Sequence, residues 1–253
     1  MKIQQIRNAT LLLTYGGKRF LVDPFLGHKD SYPPFGNSAR QDQNNPLVDL
    51  PIPVEQLTDG LDAVIITHLH LDHYDAAAKH ALPEDLPVFS QNEADAAALK
   101  NDGFTNVIVL TEDAAFGDIR LSKTTGQHGR GEVLKRIGLV CGVVFQHKEE
   151  KTLYIAGDTV WYEGVQEAID RYQPEIIVLN AGDNQFTKGG SLIMGTQDVH
   201  HTHQAAPNAL LIASHMEAVN HWGLSREQLK NFATEQGFAD QLRVPQDGET
   251  LEF

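Results

Sequence analysis

Cysteine occurs once in the 253 residues, as Cys141, so no disulfide can form within the chain. That lone thiol, with no export signal ahead of it, leads to the expectation of a reducing, cytoplasmic setting. Cys141 lies in the apolar run IGLVCGVVF and reads as a small core residue. No apolar run approaches the roughly 20 residues of a membrane span. The opening stretch MKIQQIRNATLLLTYGGKR has one early lysine, Lys2, and no small-residue cleavage site, so it reads as a first strand rather than a signal peptide. Positive charge is scarce: 20 Lys and Arg face 34 Asp and Glu, for a net charge of −14. Such a surface repels a phosphate backbone and argues against a nucleic-acid binder built on a basic patch. A small anionic substrate stays admissible, because a bound metal reverses the local field. A G-x-S-x-G elbow and a Walker loop are both missing, which removes the serine-hydrolase and P-loop readings.

Histidine, by contrast, is plentiful. Twelve are present, and His68, His70 and His73 fall within six residues. Neutral imidazole is a common metal ligand, so composition already points toward metal. A hydrophobic fraction of 41% and a charged fraction of 21% are those of a globular chain, and residues 1–253 read as a single domain. The runs KIQQIR, ATLLLTY and KRFLVDPF predict strands joined as hairpins. Residues 26–60, rich in Pro, Asn and Asp, predict a long loop. Beyond it, apolar runs such as AVIIT, EIIVL and ALLIAS alternate with helical stretches such as VQEAIDRYQ and REQLKNFATEQG. The expectation is an α/β layered fold with mixed sheets.

The strongest local signal is Thr67-His68-Leu69-His70-Leu71-Asp72-His73, which follows a buried strand and precedes a helix. In an extended segment His68, His70 and Asp72 point to one side, and His73 can swing in as the helix begins. Imidazole and carboxylate together suit divalent zinc, iron or manganese. This H-x-H-x-D-H pattern resembles the signature of the metallo-β-lactamase fold superfamily. The resemblance implies a four-layer αββα sandwich of two mixed β-sheets, with the metal site at the sheet edge. It also implies three later motifs in fixed order, and each has a match: His128 in Thr-Thr-Gly-Gln-His-Gly, Asp158 in Tyr-Ile-Ala-Gly-Asp-Thr, and His215 in Leu-Ile-Ala-Ser-His. Carried over position by position, it implies one ion on His68, His70 and His128. A second would sit on Asp72, His73 and His215, with Asp158 bridging. Two divalent ions are therefore expected, zinc by default and manganese or iron as alternatives. A water shared by two such ions is acidified toward neutrality, and Asp72 could hold it or move its proton.

Among the branches of that superfamily, the closest similarity is to the ascorbate-6-phosphate lactonases and the N-acyl-phosphatidylethanolamine phospholipases D. It rests on Phe20-Leu21-Val22-Asp23-Pro24, on the T-G-Q-H motif and on Gly157-Asp158-Thr159. An Asp at 158 rather than Cys speaks against antibiotic hydrolysis, and His rather than Glu at 70 speaks against oxygen reduction. Asp23 could orient a ligand histidine or simply form an Asp-Pro turn. Asp183 follows the strand EIIVL and could meet a ligand or substrate, since strand carboxyl ends face such sites. His221, in the loop with Glu217 and Asn220, could reach the pocket as a substrate ligand or a proton donor. The expected function is hydrolysis of an ester, lactone or phosphodiester in a small-molecule substrate, with no nucleic-acid partner. A homo-oligomer is compatible with this reading. The competing readings are a mononuclear iron dioxygenase of persulfides and a non-catalytic metal-binding protein.

Overall fold

The computed structural model describes residues 1–253. Its first six strands are β1 (Lys2–Arg7), β2 (Thr10–Tyr15), β3 (Lys18–Val22), β4 (Ala63–Ile66), β5 (Val88–Ser90) and β6 (Val107–Val109). The next five are β7 (Ala114–Phe116), β8 (Ile119–Thr125), β9 (Cys141–Gln146), β10 (Leu153–Ile155) and β11 (Ile176–Asn180). A small hairpin follows, β12 (Gln185–Phe186) with β13 (Gly190–Ser191), and then β14 (Leu210–Ser214), β15 (Leu242–Arg243) and β16 (Thr250–Glu252). One seven-stranded sheet runs β16-β1-β2-β3-β4-β5-β6 and the other β15-β14-β11-β10-β9-β8-β7. Helices α1 (Val54–Thr58), α2 (Ala76–Ala81) and α3 (Glu93–Asn101) cover the first sheet. Helices α4 (Glu163–Tyr172), α5 (Thr196–Ala205) and α6 (Arg226–Glu235) cover the second. The mixed αββα sandwich matches the expected architecture.

Alternation along the strands builds the layers, because successive side chains leave opposite faces. Leu11, Leu13 and Tyr15 of β2 point into the space between the sheets, while Leu12 joins the helical side. Phe20 and Val22 of β3 repeat the pattern around Leu21, as do Ala63 and Ile65 of β4 around Val64 and Ile66. Opposite them, Ile176 and Val178 of β11 enter the central layer while Ile177 and Leu179 meet the helices. These strands read as continuous apolar runs because both of their faces are buried. Side-chain caps fix the starts of α2, α3 and α6: Asp75 accepts from the Ala78 amide at 2.8 Å, Asn92 from the Asp95 amide at 2.9 Å, and Ser225 with Gln228 forms a capping box.

The first three strands form consecutive hairpins as expected. The 26–60 segment is irregular up to Pro53, but it ends in α1, a short helix its composition did not signal. β12, β13, β15 and β16 were likewise not expected, because two or three residues carry no readable period. No helix is long and apolar enough to cross a membrane.

Leu13 is fully buried between the sheets and its neighbour Thr14 is exposed. Leu13→Ala is expected to cost about 2–5 kcal/mol in urea unfolding. Thr14→Ala should stay within about 0.5 kcal/mol.

Candidate metal centre

Strand direction sets the site. β10, β11 and β14 are parallel, and β8 runs the same way, being antiparallel to β9, which is antiparallel to β10. Their carboxyl ends therefore share one edge of the second sheet. His128 lies just past β8, Asp158 just past β10 and His215 directly after β14. The 67–73 turn leaves β4 of the other sheet and reaches the same edge. Turning sharply there needs unusual backbone: Asp23 and His215 adopt φ of 47° and 58°, a left-handed region that L-residues with side chains rarely occupy. Gly157 sits at φ 69°, and a Cβ on it would run into the Cys141 carbonyl oxygen.

The seven residues converge. His68, His70 and His128 form one group of donors, Asp72, His73 and His215 a second, and His68, His73 and Asp158 a third, with the donor atoms of each group within 4.8 Å of one another. Asp158 lies between the two triads. Its Oδ2 is 3.2 Å from His73 Nε2, 3.6 Å from His128 Nε2 and 3.9 Å from His68 Nε2. Its Oδ1 is 3.7 Å from His215 Nε2 and accepts from Asn180 Nδ2 at 2.6 Å. His215 Nε2 is in turn 3.2 Å from Asp72 Oδ2.

Outer hydrogen bonds fix which ring nitrogens face inward. Asp23 is the central acceptor: it takes the Thr67 amide at 2.7 Å, the Thr67 hydroxyl at 2.8 Å and His73 Nδ1 at 2.9 Å. Thr67 Oγ1, having given its proton to Asp23, accepts from His68 Nδ1 at 3.1 Å. His70 Nε2 donates to the Ile137 carbonyl at 2.8 Å, and His128 Nδ1 donates to the Leu192 carbonyl at 3.0 Å. A neutral imidazole has one N–H, so His68, His70 and His128 each turn a lone pair inward. His68 Nε2 and His70 Nδ1 then face each other at 3.0 Å with no proton between them. Burial and the neighbouring His73 and His70 hold the His68 pKa well below its usual range, so a proton on His68 does not relieve that contact. A cation does: nitrogens bound to one tetrahedral zinc at about 2.0–2.1 Å lie about 3.3 Å apart. The donor set therefore fits a metal ion.

The charges agree. Burial works against the Asp158 carboxylate, but His73 and His215 outweigh it and keep the pKa far below the usual range. Asp72 is likewise held low, burial being outweighed by His215 and His73. Burial disfavours a proton on His73, yet Asp158 and Asp23 together raise its pKa well above the ordinary value. His73 Nε2, buried and not aligned for a hydrogen bond, is where that proton and a metal compete.

A cavity of about 170 Å³ opens over these donors, walled by Phe35, Leu71, Ile137, Phe186, Leu192 and His221. His221 was expected near the site and lines this cavity. Burial lowers its pKa to about 4, and its Nδ1 has no partner. The Asn184 amide lies 3.3 Å from His221 Nε2 and 3.4 Å from His215 Nδ1. Asp183 is not brought to the cluster: its carboxylate accepts from Gln185 Nε2 at 2.6 Å and lies against Gly195. Trp161 and Tyr162 pack against the helical core instead of the cavity. His200 and His203 stack on Phe238 and form no donor cluster.

Sequence reasoning missed Asn8, Asn180, Asn184 and the contacts of Asn220. Asn8 Nδ2 donates to the Asp72 carbonyl at 3.0 Å and to Asp72 Oδ2 at 3.3 Å. Asn220 Oδ1 accepts from the Phe35 amide at 2.8 Å and from Asn45 Nδ2 at 3.0 Å, while its Nδ2 donates to Ser38 Oγ at 2.9 Å and the Ala39 carbonyl at 2.8 Å. Arg40 stacks 3.8 Å over Trp222 beside it. The 26–60 segment is thereby pinned, with Phe35 set edge-on against His221.

Residues 18–220 match the beta-lactamase superfamily domain. The chain belongs to the beta-lactamase superfamily. Within it, the UPF0173 protein YddR of Bacillus subtilis is 55% identical over 254 residues, covering 100% of both chains. The crystal structure of an isothiocyanate hydrolase from Delia radicum gut bacteria superposes with a TM-score of 0.96 at 45% identity, covering 100% of this chain and 99% of that one. A possible metal-dependent hydrolase from Veillonella parvula gives 0.96 at 39% identity, over 99% and 98% of the two chains.

Asp23→Asn removes the charge that orients His73 and Thr67. It is expected to weaken zinc binding about 10–100-fold in competition with a fluorescent chelator. Because metal must displace a proton held above its usual range on His73, zinc affinity of the wild-type chain should rise with pH through neutrality.

Proposed function

We propose that this superfamily member is a metal-dependent hydrolase acting on a small molecule with an uncharged electrophilic carbon, and that isothiocyanates are its substrate class. The observation that carries the reading is the apolar cavity set directly over two facing histidine lone pairs. Its wall contributes Phe35, Leu71, Ile137, Phe186 and Leu192, and no Lys or Arg. A phosphodiester would find no fixed positive side chain there, whereas the uncharged carbon of R–N=C=S suits such a wall. The 45% identical structural neighbour, covered over nearly its whole length, is an isothiocyanate hydrolase and supports the same choice.

In this reading His68, His70 and His128 would hold one divalent ion, Asp72, His73 and His215 would hold a second, and Asp158 would serve both. Zinc suits a set so rich in imidazole. Such a pair would supply a water acidified toward neutral pH and a Lewis acid for the substrate. The net reaction is R–N=C=S + H2O → R–NH2 + O=C=S: water adds to the carbon, the C=N double bond is cleaved in full, and the water oxygen ends doubly bonded to carbon in carbonyl sulfide. Two protons reach the nitrogen. Asp72, which keeps its negative charge, orients the attacking water by accepting a hydrogen bond from it. His221 lines the cavity with an unpartnered Nδ1 and relays a proton to the departing amine. Phe35 and Phe186 flank His221 and exclude bulk water from that transfer. Pairing of β16 with β1, and of the Met1 amine with the Phe253 carbonyl at 3.2 Å, supports reading the whole chain as one hydrolase unit.

Amine and carbonyl sulfide release from phenyl isothiocyanate is to be compared with turnover of a 4-nitrophenyl ester, a lactone and bis(4-nitrophenyl) phosphate. The isothiocyanate is expected to be the best substrate; faster phosphodiester cleavage would reverse the assignment. Asp158→Ala should lose both metal and activity. His221→Gln should keep its metal and lower kcat about 10²–10⁴-fold.

A further inference from the structure

The cavity over the donors does not stand alone. A second chamber of about 610 Å³ shares His70, Ile137 and Phe186 with it and continues outward. The inner space, about 170 Å³, is below the roughly 300–1,000 Å³ of ordinary small-molecule sites, so a substrate of that size must extend into the outer one. The outer walls come from three segments: the turn around residues 131–137, the tip of the β12–β13 hairpin, and Asn37 of the pinned 26–60 segment. The Thr187 amide donates to the Asn37 carbonyl at 2.7 Å and ties two of them together.

The chemistry changes at the junction. The inner wall has no Lys or Arg, whereas the outer one carries Arg136 and Lys188. Neither pairs with a carboxylate. The one acid in that wall, Glu132, is held by Lys135 at 2.7 Å. On a chain with net charge −14, two exposed cations without carboxylate partners in the wall of one chamber form a local field opposite to that of the surface. We propose that the outer chamber receives an anionic, oxygen-bearing tail of the substrate on Arg136 and Lys188, while the electrophilic carbon enters the inner cavity. This rests on the hydrolase reading above and adds to it the remote end of the isothiocyanate, which carries the charge while the reacting carbon stays uncharged. Arg136 offers a planar fork for an oxyanion and Lys188 a mobile point charge.

Two aryl isothiocyanates that differ only in the remote group separate the alternatives: phenyl isothiocyanate and 4-sulfophenyl isothiocyanate. The metal-loaded wild-type chain is expected to show a KM about 3–10-fold lower for the sulfonate, a preference that shrinks as salt rises. In the double variant R136Q/K188Q the ratio of the two KM values should fall to about one. A 4-carboxyphenyl analogue should follow the sulfonate. Binding is read separately by isothermal titration with 4-toluenesulfonate, which cannot be hydrolysed. It is expected to bind the wild-type chain more tightly than the double variant. Equal sulfonate binding to both chains, or a wild-type preference for the neutral probe, overturns the inference while leaving the hydrolase reading in place. Tighter sulfonate binding to the wild-type chain, with no turnover of either isothiocyanate, would do the reverse.

Discussion

Burying three carboxylates beside five imidazoles is the constraint around which this molecule is organised. Asp23, Asp72 and Asp158 are each at most 5% exposed. An isolated buried carboxylate is costly, so each must be met by hydrogen bonds, protons or a cation. Asp23 is met by Thr67 and His73, Asp72 by Asn8 and His215, and Asp158 by Asn180 and the surrounding rings. Since the partners come from both sheets, the charges can be satisfied only when the two strand edges are in register. The central apolar layer brings the edges together, and the polar cluster fixes how they meet.

The layered fold was legible because β2, β3, β4 and β11 carry long apolar runs with turn residues between them. The donor set was legible for a different reason. Four of the seven ligand candidates lie in one six-residue stretch, and His128, Asp158 and His215 each end a recognisable strand. The orienting groups were not legible. Asn8 reads as a hairpin residue and Asn180 as the end of a strand, and neither has a spacing that announces its partner. The Ile137 and Leu192 carbonyls that receive His70 and His128 are backbone atoms, which no sequence motif records. Asp183 shows the converse: its position after a strand was suggestive, yet a left-handed backbone at φ 47° accompanies a carboxylate bonded to Gln185 instead of the cluster.

The two sides of the site differ in how they are held. The metal-facing side is fixed by strand ends and by donors buried in the sandwich. The cavity side is assembled from connections: the 26–60 segment, the turn at 131–137 and the β12–β13 hairpin. Binding residues commonly sit on such connections above a rigid frame. Here the frame reaches into the connections, because Ile137 both walls the cavity and steadies His70.

Asn220 carries that coupling furthest. Its amide accepts from the Phe35 backbone and from Asn45 while donating to Ser38 and Ala39. Only a side chain with both an oxygen acceptor and nitrogen donors at one short reach can do this; aspartate lacks the donors and leucine lacks both. The shape of the 33–45 segment and the identity of residue 220 are therefore one inherited unit. Relatives that remodel the segment to admit a different substrate should change position 220 in the same lineage, so co-variation between these distant stretches would mark where specificity has diverged.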